Sequence, residues 1–235
     1  VITPSTASGN DAVSAANTIV GIAKSINKKV VFHCDGVQAF GKIAVNVQKL
    51  GVDFYTISGH KIHAPKGVGA LFVKDSKHIK PLLLGGGQEN DYRSGTENVS
   101  GIMALDRASQ IMCDNIDNNF KNMQILNNYI IDNVVDCKII SNSKSLPYTI
   151  MLSFPGCRAE TILHMMEEKE FLIGNGSACS SKKRENRNLS AIGYDQKTID
   201  GAIRISFAHY TSLDEIKNFV EQLNAVVKEY IEKVR

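Results

Sequence analysis

The 235-residue chain contains no stretch approaching about 18 consecutive apolar residues, and its opening VITPSTASGN lacks the basic-then-apolar order of a secretory leader. Neither a membrane span nor export is expected. Its five cysteines are an odd number with no C-x-x-C pair, which speaks against a disulfide framework and a zinc site and points to a reducing, cytoplasmic compartment. Neither sign of charge is in large excess. Lys+Arg 27 against Asp+Glu 24 gives a net charge of +3, too balanced for nucleic-acid binding through bulk electrostatics, although KKRENR at 182–187 forms a local basic cluster. Internal repeats and low-complexity tracts are lacking. His60 and His63 have no cysteine or carboxylate at ligand spacing, so no metal site is expected.

What remains is an ordinary globular composition, 43% hydrophobic and 22% charged, in a length that suits one large or two modest units. Val13, Ala16, Ile19, Val20, Ala23 and Ile26 recur at helical spacing. VVFHCD (30–35), DFYTIS (53–58) and GALFV (69–73) read as short strands of a mostly parallel α/β sheet with one antiparallel neighbour. The stretch GGGQENDYRSGTENVSG (85–101) is too polar and glycine-rich for a helix. A helical pattern then runs from about Val99 to Val135, with an irregularity near Asp114–Asn119. KIIS (138–141), TIMLSF (149–154), FLIG (171–174) and AIRISF (202–207), with helices over about 158–168 and 213–233, predict an α+β lobe. The expected division is residues 1–110 and 111–235.

Ligands of such sheets bind at the carboxyl ends of the strands, where Asp35 and Ser58, His60 and Lys61 fall. Asp35 also suits a helix N-cap. Lys61 is a candidate for covalent chemistry, set against the commoner reading of a solvated lysine beside a turn. Arg204 lies inside an apolar strand, where a guanidinium needs a carboxylate partner or a ligand. Cys179 sits among Gly, Ser and Ala with Lys182, Lys183 and Arg184 following, a setting that favours the thiolate. Cys34, Cys113, Cys137 and Cys157 read as small hydrophobes or bystanders. An imine-forming lysine, an acid at the end of the neighbouring strand and a buried arginine together describe a pyridoxal phosphate site.

DGVQ at 35–38, SGHK with PKGVG at 58–69, RSGTEN at 93–98, GSACSS at 176–181 and RISF at 204–207 resemble, in order and separation, the cysteine desulfurases of the class-V aminotransferase family. These are fold type I pyridoxal phosphate enzymes. The resemblance implies the second half of a large, mostly parallel sheet domain (1–110) and a small α+β C-terminal domain (111–235) carrying the sulfur-accepting loop. It implies Lys61 as the cofactor-bonding lysine, Asp35 on the pyridine nitrogen and Gln38 on the ring's phenolic oxygen. Ser58 and His60 match the phosphate ligands, with Gly59 between them counted in the cofactor site. Thr96 matches a phosphate ligand donated across a homodimer, Arg204 the residue for the substrate carboxylate, and Cys179 the thiol that accepts sulfur. The activity implied is conversion of L-cysteine to L-alanine, with the persulfide on Cys179 passed to an iron–sulfur scaffold or a thiolation enzyme. Another class-V lyase or transaminase, such as a selenocysteine lyase, and a non-catalytic fragment are the alternatives. The resemblance covers the family's C-terminal portion and does not include its N-terminal glycine/threonine loop and ring-stacking histidine, so the chain alone is expected to be a weak enzyme at best.

Overall fold

The computed structural model describes residues 9–142, 144–175 and 187–234. They fall into two compact units, Val1–Asn118 and Asn119–Arg235.

In the first unit, helix α1 (Gly9–Ile26) turns Ala16 and Val20 onto a core shared with Cys34, Leu50, Val52 and Tyr55. Strands β1 (His33–Asp35), β2 (Phe54–Ser58) and β3 (Gly69–Val73) form one sheet in that order. β1 runs parallel to β2, and β3 is antiparallel to it, as the sequence leads one to expect. Side chains alternate across a strand, so the buried pair Cys34 and Tyr55 faces one side while His33, Asp35, Thr56 and Ser58 face the other. Helix α2 (Val47–Leu50) is a single turn between the first two strands, capped by Asn46 and closed by left-handed Gly51. A second cluster, Ile62, Ala64, Leu105 and Met112, packs the turn after β2 against α3 (Val99–Asp114).

Lys24 of α1 reaches the far end of the strand layer, placing Nζ 2.7 Å from the Gly51 carbonyl and 2.8 Å from Asp53 Oδ2. Burial alone would raise the Asp53 carboxyl. Hydrogen bonds from Lys24 and the Phe32 amide, together with the charges of Lys24 and Lys74, outweigh it and hold Asp53 below the usual carboxylate range. A depressed folded value stabilises the fold at neutral pH, and that contribution fades as pH falls through it. Asp53→Asn is therefore expected to cost about 2 kcal/mol at pH 7 and progressively less in acid. Denaturation at several pH values checks this; a loss independent of pH would remove the ionic role.

The long helical pattern is two helices, since α3 ends at Asp114 with Asn115 as its C-cap and α4 (Ile116–Asn133) starts anew. The second unit holds an antiparallel sheet, β4 (Lys138–Ile139), β5 (Thr149–Ser153) and β6 (Ala202–Ser206), with β5 in the middle. Helices α5 (Ala159–Glu167), α6 (Arg187–Ala191), α7 (Gln196–Asp200) and α8 (Leu213–Val234) complete it. Ile150, Leu152 and Ile203 of the sheet share a core with Met123 and Ile130 of α4, Ile162 and Met166 of α5, and Phe219 and Leu223 of α8. Ser212 and Glu215 start α8 as a capping box, each accepting from the other's backbone N–H. FLIG at 171–174 is not a strand. Its first amide, Phe171 N, closes α5 on the Met166 carbonyl, the Phe171 ring packs edge-on to Phe219 at 5.4 Å, and only Gly174 pairs, with Arg204.

Candidate active site

Asp35 is the last residue of β1, and its Oδ1 accepts from the Val37 amide at 3.1 Å. The sequence allowed an N-cap here, but no helix starts; the chain makes a tight turn in which the Ala39 and Phe40 amides both donate to the Gly36 carbonyl at 2.9 Å. The Gly36 amide donates to the Thr56 carbonyl at 3.0 Å, continuing the β1–β2 ladder past Asp35 and fixing that carboxylate at the sheet's end. Glycine is required at 36 because a Cβ would fall inside the ring of Tyr55, itself 4% exposed. Burial, then Cys34 and Asp35, pushes the Tyr55 phenol well above its ordinary value, so it is a packing group rather than an acid.

β2 ends at Ser58 and passes directly into a 3₁₀ turn, Gly59–Ile62. Ile62 is 1% exposed and pins the turn to the core, while Lys61 is half-buried and His60 exposed. Ser58 Oγ lies 2.9 Å from His60 Nδ1. Gly59 donates to the Val68 carbonyl at 2.9 Å and accepts from the Ala64 amide at 3.0 Å. A Cβ at 59 would press on Val68 and Ala64 at 2.9–3.1 Å, so Gly59 is what lets the PKGVG segment fold back over the lysine-bearing turn. Because Asp35 pairs with Thr56 in register, Asp35 and Ser58 occupy the same end of neighbouring strands.

Gln38 lies three residues beyond Asp35, and its Oε1 accepts from Lys42 Nζ at 3.1 Å. Burial first and the charge of Lys61 second lower the Lys42 ammonium to about 8, which places the two lysines in one electrostatic neighbourhood. Lys42 was not singled out from the sequence; its signal is the spacing of four from Gln38 across Gly41, whose φ of 72° bends the chain between them.

Thr96 is exposed on the 85–98 loop. That loop is held from within: Gln88 Oε1 accepts from the Gly95 amide at 3.0 Å, the Ser94 amide donates to the Leu83 carbonyl at 3.1 Å, and Glu89, Asn90 and Asp91 are all left-handed. Among the described residues no hydrogen bond joins Thr96 to Ser58 or His60.

In the second unit Arg204 pairs with Met151 in the β5–β6 ladder, and its guanidinium lies against Gly174, where a Cβ would sit 3.2 Å from Nη2. Arg204 Nε is buried with no partner among the described residues. Cys179 and its neighbours Lys182, Lys183 and Arg184 lie outside the described residues. Burial, the first cause in each case, raises the thiols of Cys34, Cys113, Cys137 and Cys157, so none of these four is set up as a thiolate.

Residues 2–219 match the family model described as aminotransferase class-V. The chain belongs to the class-V aminotransferase family. Members of this family depend on pyridoxal phosphate. Among class-V relatives, a cysteine desulfurase of Nostoc sp. is 35% identical over 233 residues, 96% of this chain and 57% of the relative. A cysteine desulfurase IscS of Dictyoglomus turgidum is 37% identical over 85% of this chain and 52% of its own length. A NifS-like protein of Rickettsia africae superposes with a TM-score of 0.80 at 32% identity, covering 91% of this chain and 57% of that one. Another NifS-like protein gives a TM-score of 0.83 with the same 91% coverage. The chain thus spans little more than half the length of the class-V relatives it matches.

Proposed function

We propose that this chain is the lysine-bearing part of a pyridoxal phosphate-dependent cysteine desulfurase, and that the whole protein turns L-cysteine into L-alanine and passes the sulfur through Cys179. The observation that carries the reading is the grouping at one end of the sheet: Lys61 on the turn that Ser58 and His60 begin, with the Asp35 carboxylate closing the adjacent strand.

The donor set fits the cofactor. Asp35 supplies an anion for a pyridine nitrogen, Gln38 an amide for a phenolic oxygen, Lys61 an amine for an aldehyde, and Ser58, Gly59 and His60 a hydroxyl, a small backbone residue and an imidazole for a phosphate. When bound, pyridoxal phosphate would supply an electron sink for the substrate's α-carbon. The chain's own residues do the rest. Lys61 would hold the cofactor through its amine and, once a substrate amine takes its place, would be free to carry protons. The buried, unpartnered Arg204 Nε suits a guanidinium that completes its hydrogen bonds with a substrate carboxylate. Cys179 accepts the sulfur.

Thr96, exposed on a self-braced loop, suits a phosphate ligand given to a second copy, which makes the protein a homodimer with shared sites. Residues 1–110 act as part of the cofactor-binding domain and 111–235 as the small domain that carries the cysteine loop. The sulfur acceptor is an iron–sulfur scaffold or a tRNA- or cofactor-thiolating protein, and the compartment is the cytoplasm. Among the described residues no helix is long and apolar enough to cross a membrane.

Mixing the protein with pyridoxal phosphate should give a saturable visible absorbance, and adding L-cysteine should release alanine. A colourless protein at saturating cofactor would instead mark the chain as a non-catalytic fragment; colour with amino-group transfer but no alanine from cysteine would mark another class-V reaction.

A further inference from the structure

We propose that Lys42 is a positioning residue, which fixes the side-chain amide of Gln38 so that its NH₂ group, and not its carbonyl, is presented to the cofactor's ring oxygen. The inference rests on the cofactor reading above. An ammonium has donors only, so the oxygen of an amide 3.1 Å away must face it. With Oε1 committed to Lys42, Nε2 becomes the end of Gln38 directed elsewhere. A freely flipping amide would point its carbonyl half the time at an oxygen acceptor, which repels it.

The backbone supports this arrangement. Gln38 and Lys42 stand four residues apart on one coiled turn, in which the Lys42 amide donates to Ala39 at 3.0 Å and the Ile43 amide donates to the same carbonyl at 3.2 Å. Gly41 reaches its left-handed conformation with Ile62 and Met112 packed where a Cβ would sit, each 3.0 Å away. Ile62 follows Lys61 directly, so one packing contact sets the turn bearing Lys42 against the turn bearing the reactive lysine. Lys42 is half-buried, and the lowering of its ammonium by burial and by Lys61 agrees with a side chain held inside the site instead of extended into water.

Two measurements test it, one without cofactor. In the ligand-free protein, the Gln38 side-chain NH₂ resonances should shift and broaden in Lys42→Met and return toward their original positions in Lys42→Arg, which keeps a donor-only group. Unchanged Gln38 resonances would overturn the proposal. With cofactor, Lys42→Met should weaken pyridoxal phosphate binding about tenfold and reduce the visible band relative to the near-ultraviolet one, with Lys42→Arg within about threefold of the unaltered protein. In a Gln38→Leu background Lys42→Met should add less than about twofold, because Lys42 acts through Gln38. An equal tenfold loss in that background would overturn the positioning role. Should Lys42→Met not fold, Lys42→Leu serves the same comparison, since it too has no donor for Gln38. If the unaltered protein binds no cofactor, the cofactor reading fails, and the ligand-free resonances still decide whether Lys42 orients Gln38.

Discussion

Lys61→Ala is expected to leave the protein colourless in the presence of pyridoxal phosphate and to lower alanine formation by about four orders of magnitude or more. On the reading proposed above, this amine bonds the aldehyde, and its neighbours are engaged elsewhere: His60 is exposed and engaged with Ser58, and Lys42 is engaged with Gln38. The turn itself should survive, because Ile62 and the Gly59 hydrogen bonds anchor it. Unfolding midpoints should therefore move by less than the equivalent of about 1 kcal/mol. The measurement is an absorbance titration beside a thermal melt. Persistent saturable colour in Lys61→Ala would remove Lys61 from the chemistry, with Lys42 the next amine to test.

Cys179→Ser should have the opposite signature. In protein that forms alanine from cysteine, colour and cofactor content should be unchanged, while alanine formation falls by about a thousandfold or more. On the reading proposed above, the Cys179 thiolate would attack the substrate sulfur to form a sulfur–sulfur bond. The carbon–sulfur bond would then break with its electron pair on carbon, which would take a proton and become the methyl group of alanine. A serine hydroxyl is protonated at neutral pH and a poor nucleophile toward sulfur. Mass spectrometry after one turnover should place one added sulfur on the peptide containing Cys179. Finding it on Cys34, Cys113, Cys137 or Cys157 would overturn the assignment, and the raised thiol values of those four argue against that result.

The sheet was legible because its strands are short apolar runs bounded by punctuation: β1 ends on Asp35 before glycine, and β2 ends on Ser58 before Gly59. The antiparallel turn of β3 was readable too, since only a short glycine- and proline-containing link joins it to β2. FLIG misled because an apolar run of four carries no record of which amide finds which carbonyl; α5 claims Phe171 before a ladder can. Asp35 misled for a related reason, as an Asx turn and an N-cap present the same residue before the same kind of amide. Lys42 escaped notice because a lysine on a turn is ordinary by composition. What distinguishes it is tertiary: the packing of Ile62 and Met112 at Gly41 that brings its turn toward Lys61.

The middle position of β5 bears on how the protein is made. β5 pairs with β4 just upstream, but its other edge waits for β6, which leaves the ribosome only after the whole 154–201 segment. Until α8 also emerges, Phe219, Leu223 and Val226 are missing from the second core, and Ile150, Leu152 and Ile162 have lost the partners that cover them. The first sheet, by contrast, closes over residues 33–73. During synthesis the lysine-bearing half can thus be folded while the half bearing Arg204 is still an unpaired, apolar nascent chain, the stage at which holdase chaperones would find most to bind.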